Sequence, residues 1–136
     1  MEYSEIKVGN EIPSLSQKVT ILQTVMYCAV TWDFARQHYD REYAQNLGFT
    51  QPVVDPQMYG AFFARMLTDW ISLSGNLKNL ELQYRKPGFL GDTLTYKGKV
   101  VKKYIKDGKK YLDCDLFVEN ENGEHLVEGS AAVSFF

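Results

Sequence analysis

Hydrophobic positions change their period along this chain. From residue 11 to residue 20 the chain alternates and contains β-branched residues, so a short strand ending in Lys18-Val19-Thr20 is expected. Thr20 stands where a helix cap would. Ile21, Leu22, Val25, Cys28, Ala29 and Trp32 then fit a short helix with one buried face. Residues 33–47 read as a loop followed by a polar helix, Arg41–Asn46. Gly48 is its stop, because a helix end favours a residue that tolerates positive φ. The longest helical pattern covers residues 53–73. Met58, Phe62, Arg65, Met66, Asp69, Trp70 and Leu73 recur there at spacings of three and four. Tyr59, Phe63, Leu67 and Ile71 widen the apolar stripe, so this helix is expected to be mostly buried. Pro56 suits its first turn, where a missing N–H costs little.

Beyond Gly75 the character changes. Residues 77–86, 93–104, 110–120 and His125–Phe135 read as four strands of an antiparallel meander. Gly91-Asp92, Lys106-Asp107-Gly108 and Glu121-Asn122-Gly123 supply the turns, the last two as tight hairpins. Pro13, Pro52, Pro56 and Pro87 are each expected between elements rather than inside one. The pattern amounts to an α+β chain, a sheet on one long helix, and its length suits one domain over residues 1–136.

Composition narrows the function. The aromatic fraction of 14% comes mostly from Tyr and Phe, which suits a sheet-rich core and an apolar ligand tunnel. A net charge of −2 provides no field for nucleic acid or an anionic membrane. No apolar run is long enough to span a bilayer, and the polar, acidic start is not a secretory signal. Cys28 and Cys114 read as reduced core thiols, which places the chain in the cytosol. No Cys-x-x-Cys or His-x-x-x-His spacing occurs, so neither a metal nor another cofactor is expected.

The candidate chemistry lies between residues 33 and 58. Asp33 and His38 place a carboxylate and an imidazole five positions apart, followed by Asp40, Gly48, Phe49 and Pro52. Taken singly, Asp33 reads as a cap, His38 as a surface or half-buried histidine, and Asp40 as the cap of the polar helix. His125 reads as solvated. Arg65 and Asp69 read as an intrahelical ion pair or as a contact at a subunit seam. The cluster Lys102, Lys103, Lys106, Lys109 and Lys110 reads as a solvated hairpin.

Together these residues resemble the MaoC-like acyl-thioester hydratases. The likeness is carried by Asp33-x-x-x-x-His38 with Asp40, Ala44, Gly48-Phe49 and Pro52 at the right offsets. Val8-Gly9-Asn10-Glu11, Arg65-Met66-Leu67-Thr68-Asp69-Trp70, Gly91-Asp92-Thr93-Leu94 and Glu128-Gly129-Ser130-Ala131 extend it over nearly the whole chain. Asp33-Phe34 through His38-Tyr39-Asp40-Arg41 is similar to a divergent subgroup that includes small subunits of heteromeric steroid-type enoyl-CoA hydratases. The resemblance implies a hot-dog fold, an antiparallel sheet wrapped around a long central helix. It implies that Asp33 and His38 bind and activate one water, which adds to a 2-enoyl thioester or is removed in the reverse dehydration. The substrate would be an acyl-CoA or acyl-carrier-protein thioester, near Gly48, Phe49, Asp55, Pro56, Gln57 and Met58. The lysine cluster would then offer a contact for a CoA phosphate or an acyl-carrier helix. Asp55-Pro56 stands where the family has His-Gly, whose Gly N–H polarises the thioester carbonyl. Pro56 has no N–H, so that task would pass to Gln57 or another nearby amide. The resemblance also implies a homodimer or a heteromer with a related hot-dog chain. An acyl-CoA thioesterase and a non-catalytic acyl-binding subunit are the competing readings.

Overall fold

Side chains at every second position of two long strands face one way and are buried, and the long helix covers them. A computed structural model describes residues 2–136. In chain order the elements are β1 (Glu11–Lys18), α1 (Ile21–Thr31), α2 (Arg41–Asn46), α3 (Pro56–Ile71), β2 (Gly75–Tyr84), β3 (Thr93–Lys106), β4 (Lys109–Glu119) and β5 (His125–Phe135). Leu94, Tyr96 and Val100 of β3 and Leu112, Cys114, Leu116 and Val118 of β4 form the inner face. Helix α3 presses Met58, Tyr59, Phe63, Met66, Leu67 and Ile71 into the core. The ring of Phe63 meets that of Tyr96 edge-on at 5.1 Å. The chain has the hot-dog fold.

Signals that act within a few residues hold in the structure. Thr20 caps α1 by accepting from the Gln23 N–H, and Asp40 caps α2 by accepting from the Tyr43 N–H. Gly48 has φ of 92° just past α2. Asp107 and Gly108 both have positive φ in the β3–β4 hairpin. Both cysteines are free and buried.

Four expectations need correction. The strands are not a four-stranded meander: the sheet order is β1-β3-β4-β5-β2, all neighbours antiparallel. The connection through Pro87 has no tight-turn chemistry, and it carries the chain from one side of the sheet to the other. Pro13 lies inside β1 rather than between elements. It is tolerated because β1 is an edge strand whose register slips between Ile12 and Leu15. Helix α1 buries only Thr24 and Cys28, and leaves most of its apolar side chains in solvent, with Val30 83% and Trp32 82% exposed. Lys103 is not a solvated hairpin residue. Its Nζ donates to the carbonyls of Tyr3 and Ile6, at 2.7 and 2.6 Å, and pins the N-terminal segment to β3.

Helix α3 is shorter than its pattern, because Val53 instead forms a bridge to Phe89. Val54 N–H donates to Gly88 and Leu90 N–H to Pro52. This docking fixes the chain entering α3 against the loop after β2, and so fixes the site. No helix among the described residues is long and apolar enough to cross a membrane.

Candidate active site

Two segments deliver the site, and backbone bonds join them. At the end of α1, Trp32 adopts a left-handed conformation (φ 59°), and the Asp33 N–H closes the helix on the Cys28 carbonyl. The Asp33 carboxylate then accepts from the Ala35 N–H at 3.2 Å, bending the chain into a short 3-10 turn, Arg36–His38. His38 is only 5% exposed. Its Nδ1 lies 2.8 Å from the Val53 carbonyl oxygen, while the Val53 N–H donates back to Gln37. A carbonyl can only accept, so Nδ1 carries the hydrogen, and neutral His38 offers Nε2 as a lone pair.

The second segment brings Asp55, also 5% exposed, to the same place. Asp55 is the N-cap of α3, and its Oδ1 accepts from the Gln57 N–H at 2.8 Å. Its Oδ2 is buried without a partner. One nitrogen of His38 and one carboxylate oxygen each of Asp33 and Asp55 all lie within 4.8 Å of one another. Such a group of acceptors needs hydrogen donors or a cation in its midst.

A cleft of about 680 Å³ opens beside His38. Phe49, Pro56, Tyr59 and Tyr84 line it, and Arg85 and Lys86 stand among its walls. A second, apolar groove of about 370 Å³ runs between α1 and α3, lined by Leu22, Met26, Tyr27, Val30, Met58 and Phe62. Thus Phe49 and Pro56 face the cleft, and Met58 faces the other groove. Gly48 ends α2 and does not line either.

The amides of Gln57 and Met58 are both taken and do not replace the missing proline N–H. The Gln57 N–H is bonded to Asp55 Oδ1, and the Met58 N–H to the Asp55 carbonyl. Tyr59, which the sequence did not single out as a site residue, lines the cleft. Its hydroxyl oxygen accepts from the Gly88 N–H at 3.0 Å, which leaves the hydroxyl hydrogen to point elsewhere. Burial, above all, raises the Tyr59 phenol well beyond its ordinary range, so it stays protonated. Its place four residues after Asp55, one turn along α3, was the only available clue.

Comparison with known proteins adds family and kinship. The MaoC-like domain profile matches residues 7–121. The chain is 22% identical over 134 residues to the (R)-specific enoyl-CoA hydratase of Aeromonas caviae, covering 98% of each protein. It is 27% identical over 120 residues to the 3-oxo-4,17-pregnadiene-20-carboxyl-CoA hydratase beta subunit of Mycobacterium tuberculosis, covering 88% of this chain and 90% of that one. Among solved structures, the ChsH1–ChsH2 complex of M. tuberculosis superposes with a TM-score of 0.84 at 25% identity, over 96% of this chain and 98% of that one.

Proposed function

Because the chain belongs to the MaoC-like domain family, we propose that it hydrates 2-enoyl thioesters, or dehydrates the corresponding 3-hydroxyacyl thioesters, with one water activated by Asp33 and His38. The observation that carries this reading is the convergence of Asp33 and buried His38, with the Val53 carbonyl fixing the tautomer that leaves Nε2 basic. Hydration requires removal of a proton from water as its oxygen attacks the β-carbon. A carboxylate and an imidazole lone pair held together suit that task. It also requires a donor for the thioester oxygen as enolate character develops. Tyr59 takes that role here, in place of the family's glycine amide, and Phe49 and Pro56 line the acyl-thioester path. Arg85 and Lys86 at the same cleft suit the phosphates of CoA, although Glu128 and Glu124 pair with them in the free protein. An acyl-carrier-protein thioester meets the same site.

The site is completed by a second subunit in this reading. The apolar face of α1 is uncovered, and β2 ends the sheet with an unpaired edge. A homodimer or a heteromer with a related hot-dog chain would cover both. Two of the relatives above support the heteromer, since one is named as a beta subunit and the other is a two-protein complex.

The test follows enoyl absorbance when purified protein meets 2-enoyl-CoA substrates of short, medium and steroid-side-chain type, with a thiol reagent in parallel. Loss of absorbance without thiol release, abolished by Asp33→Asn and His38→Ala, supports the proposal. Thiol release would make the protein a thioesterase. No turnover on any substrate, even after a related subunit is added, would leave an acyl-binding role.

A further inference from the structure

Two carboxylates meet one imidazole at the site with no positive side chain between them. Among the described residues, neither Asp33 nor Asp55 has a lysine or arginine partner. Asp33 is half-buried, but Asp55 is only 5% exposed, and its Oδ2 is buried without a partner. One ligand atom of each of Asp33, His38 and Asp55 lies within 4.8 Å of the other two. A carboxylate oxygen shut away from water needs a hydrogen donor or a cation.

Each of the three groups is also held from behind. His38 Nδ1 donates to the Val53 carbonyl, so its lone pair is on Nε2. Asp33 Oδ1 accepts from the Ala35 N–H, and Asp55 Oδ1 from the Gln57 N–H. Outer contacts of this kind, a carbonyl behind an imidazole and donors behind carboxylates, orient the ligands of metal sites. No sequence spacing announces the group, because Asp55 arrives on a separate segment from Asp33 and His38.

We propose that Asp33, His38 and Asp55 form a binding site for one divalent cation of the zinc type, and that a cation held there switches hydration off. One imidazole and two carboxylates make three protein ligands with a fourth position open, which suits tetrahedral Zn²⁺. The imidazole favours zinc over Mg²⁺ and Ca²⁺, which take oxygen ligands in larger number. The two carboxylates balance the charge of a divalent ion, so the buried group becomes neutral. Inhibition rests on the hydratase reading: the Nε2 lone pair that takes the water proton is the one the cation uses, and the base is lost. Binding itself does not depend on that reading.

The purified full-length chain is freed of metal with EDTA and titrated with Zn²⁺ alone against a chelating indicator. One Zn²⁺ per chain is expected. Asp55→Asn still caps α3, its amide spectrum checks the fold, and it should weaken binding by about 100-fold or more. His125→Gln removes the other histidine of the chain and should leave binding unchanged. No stoichiometric binding, equal binding by Asp55→Asn, or loss of binding in His125→Gln overturns the site. With 2-enoyl-CoA, one equivalent of Zn²⁺ should slow the metal-free wild type by about 10²-fold, reversibly with EDTA. An unchanged rate in zinc-loaded protein overturns the inhibition. Hydration seen only with Zn²⁺ would keep the site and overturn both the inhibition and metal-free activation of water by Asp33 and His38. Asp55-dependent binding in a protein without turnover in either form would support the site and sink the hydratase reading.

Discussion

His38 and Val53 hold each other in place: the imidazole Nδ1 sits 2.8 Å from the Val53 carbonyl oxygen, and the Val53 N–H returns to Gln37, one residue before the histidine. Val53 is itself bridged to Phe89. The orientation of the imidazole ring therefore depends on the loop after β2, more than thirty residues away in sequence.

Replacing His38 by alanine removes both the proposed base and the partner of a buried carbonyl. Hydration is expected to fall by about 10²–10⁴-fold. The orphaned Val53 oxygen should cost about 1–3 kcal/mol, read by urea unfolding. A variant with full activity would remove His38 from the chemistry.

Tyr59→Phe separates two roles of one hydroxyl. It leaves the buried Gly88 N–H without an acceptor, at an expected cost of about 1–3 kcal/mol. It should also lower kcat by about 10²-fold if Tyr59 donates to the thioester oxygen. A glycine is required opposite it, since a Cβ at residue 88 would lie 2.5 Å from that hydroxyl. Steady-state kinetics beside an unfolding curve checks both; a loss of stability with unchanged kcat would restrict Tyr59 to structure.

Asp40 gives the fold an acid-sensitive contact. The Tyr43 N–H, first, and then Arg36 hold its carboxyl below the ordinary 3.8. The unfolded chain therefore takes up this proton more readily than the folded one. The stabilisation is complete above 3.8 and is lost as the pH falls through the lower folded value. Asp40→Asn still caps α2 but lacks the charge, so it should be less stable than the wild type near neutrality, converge with it in acid, and show a flatter acid limb. Asp40→Ala should lose stability at both pH values. Thermal unfolding across pH 2 to 7 distinguishes them.

The open face of α1 predicts association. Wild-type protein should sediment at twice its 15.6 kDa mass, or form a stable heteromer with a related chain. Val30→Glu with Trp32→Glu should shift it to monomer. A wild type that stays monomeric at micromolar concentration, with no partner, would contradict a shared site.

What the sequence disclosed follows from how far each signal reaches. Asp40, Gly48 and the Asp107-Gly108 turn act within a few residues, and each was legible. The position of β2 was not, because pairing with β5 rather than β3 is decided by a long connection whose path no local residue encodes. The same holds for α1, whose apolar pattern was real but faces outward, so the pattern marked a surface rather than a core. At the site, Asp33 and His38 could be picked out through the family resemblance that their neighbours Asp40, Ala44, Gly48-Phe49 and Pro52 carry, since their spacing alone is a weak signal. The convergence of Asp55 with them depends on residues 52–54 docking on residues 88–90, and the spent amide of Gln57 depends on the rotamer of its own cap.

The most direct test runs the reaction on crotonyl-CoA in heavy-oxygen water and reads the products by mass. One heavy oxygen at carbon 3 of an intact hydroxyacyl-CoA is expected, formed by the wild type and not by His38→Ala. Heavy oxygen in a free carboxylate, or label at carbon 3 that persists at the wild-type rate without His38, would contradict it.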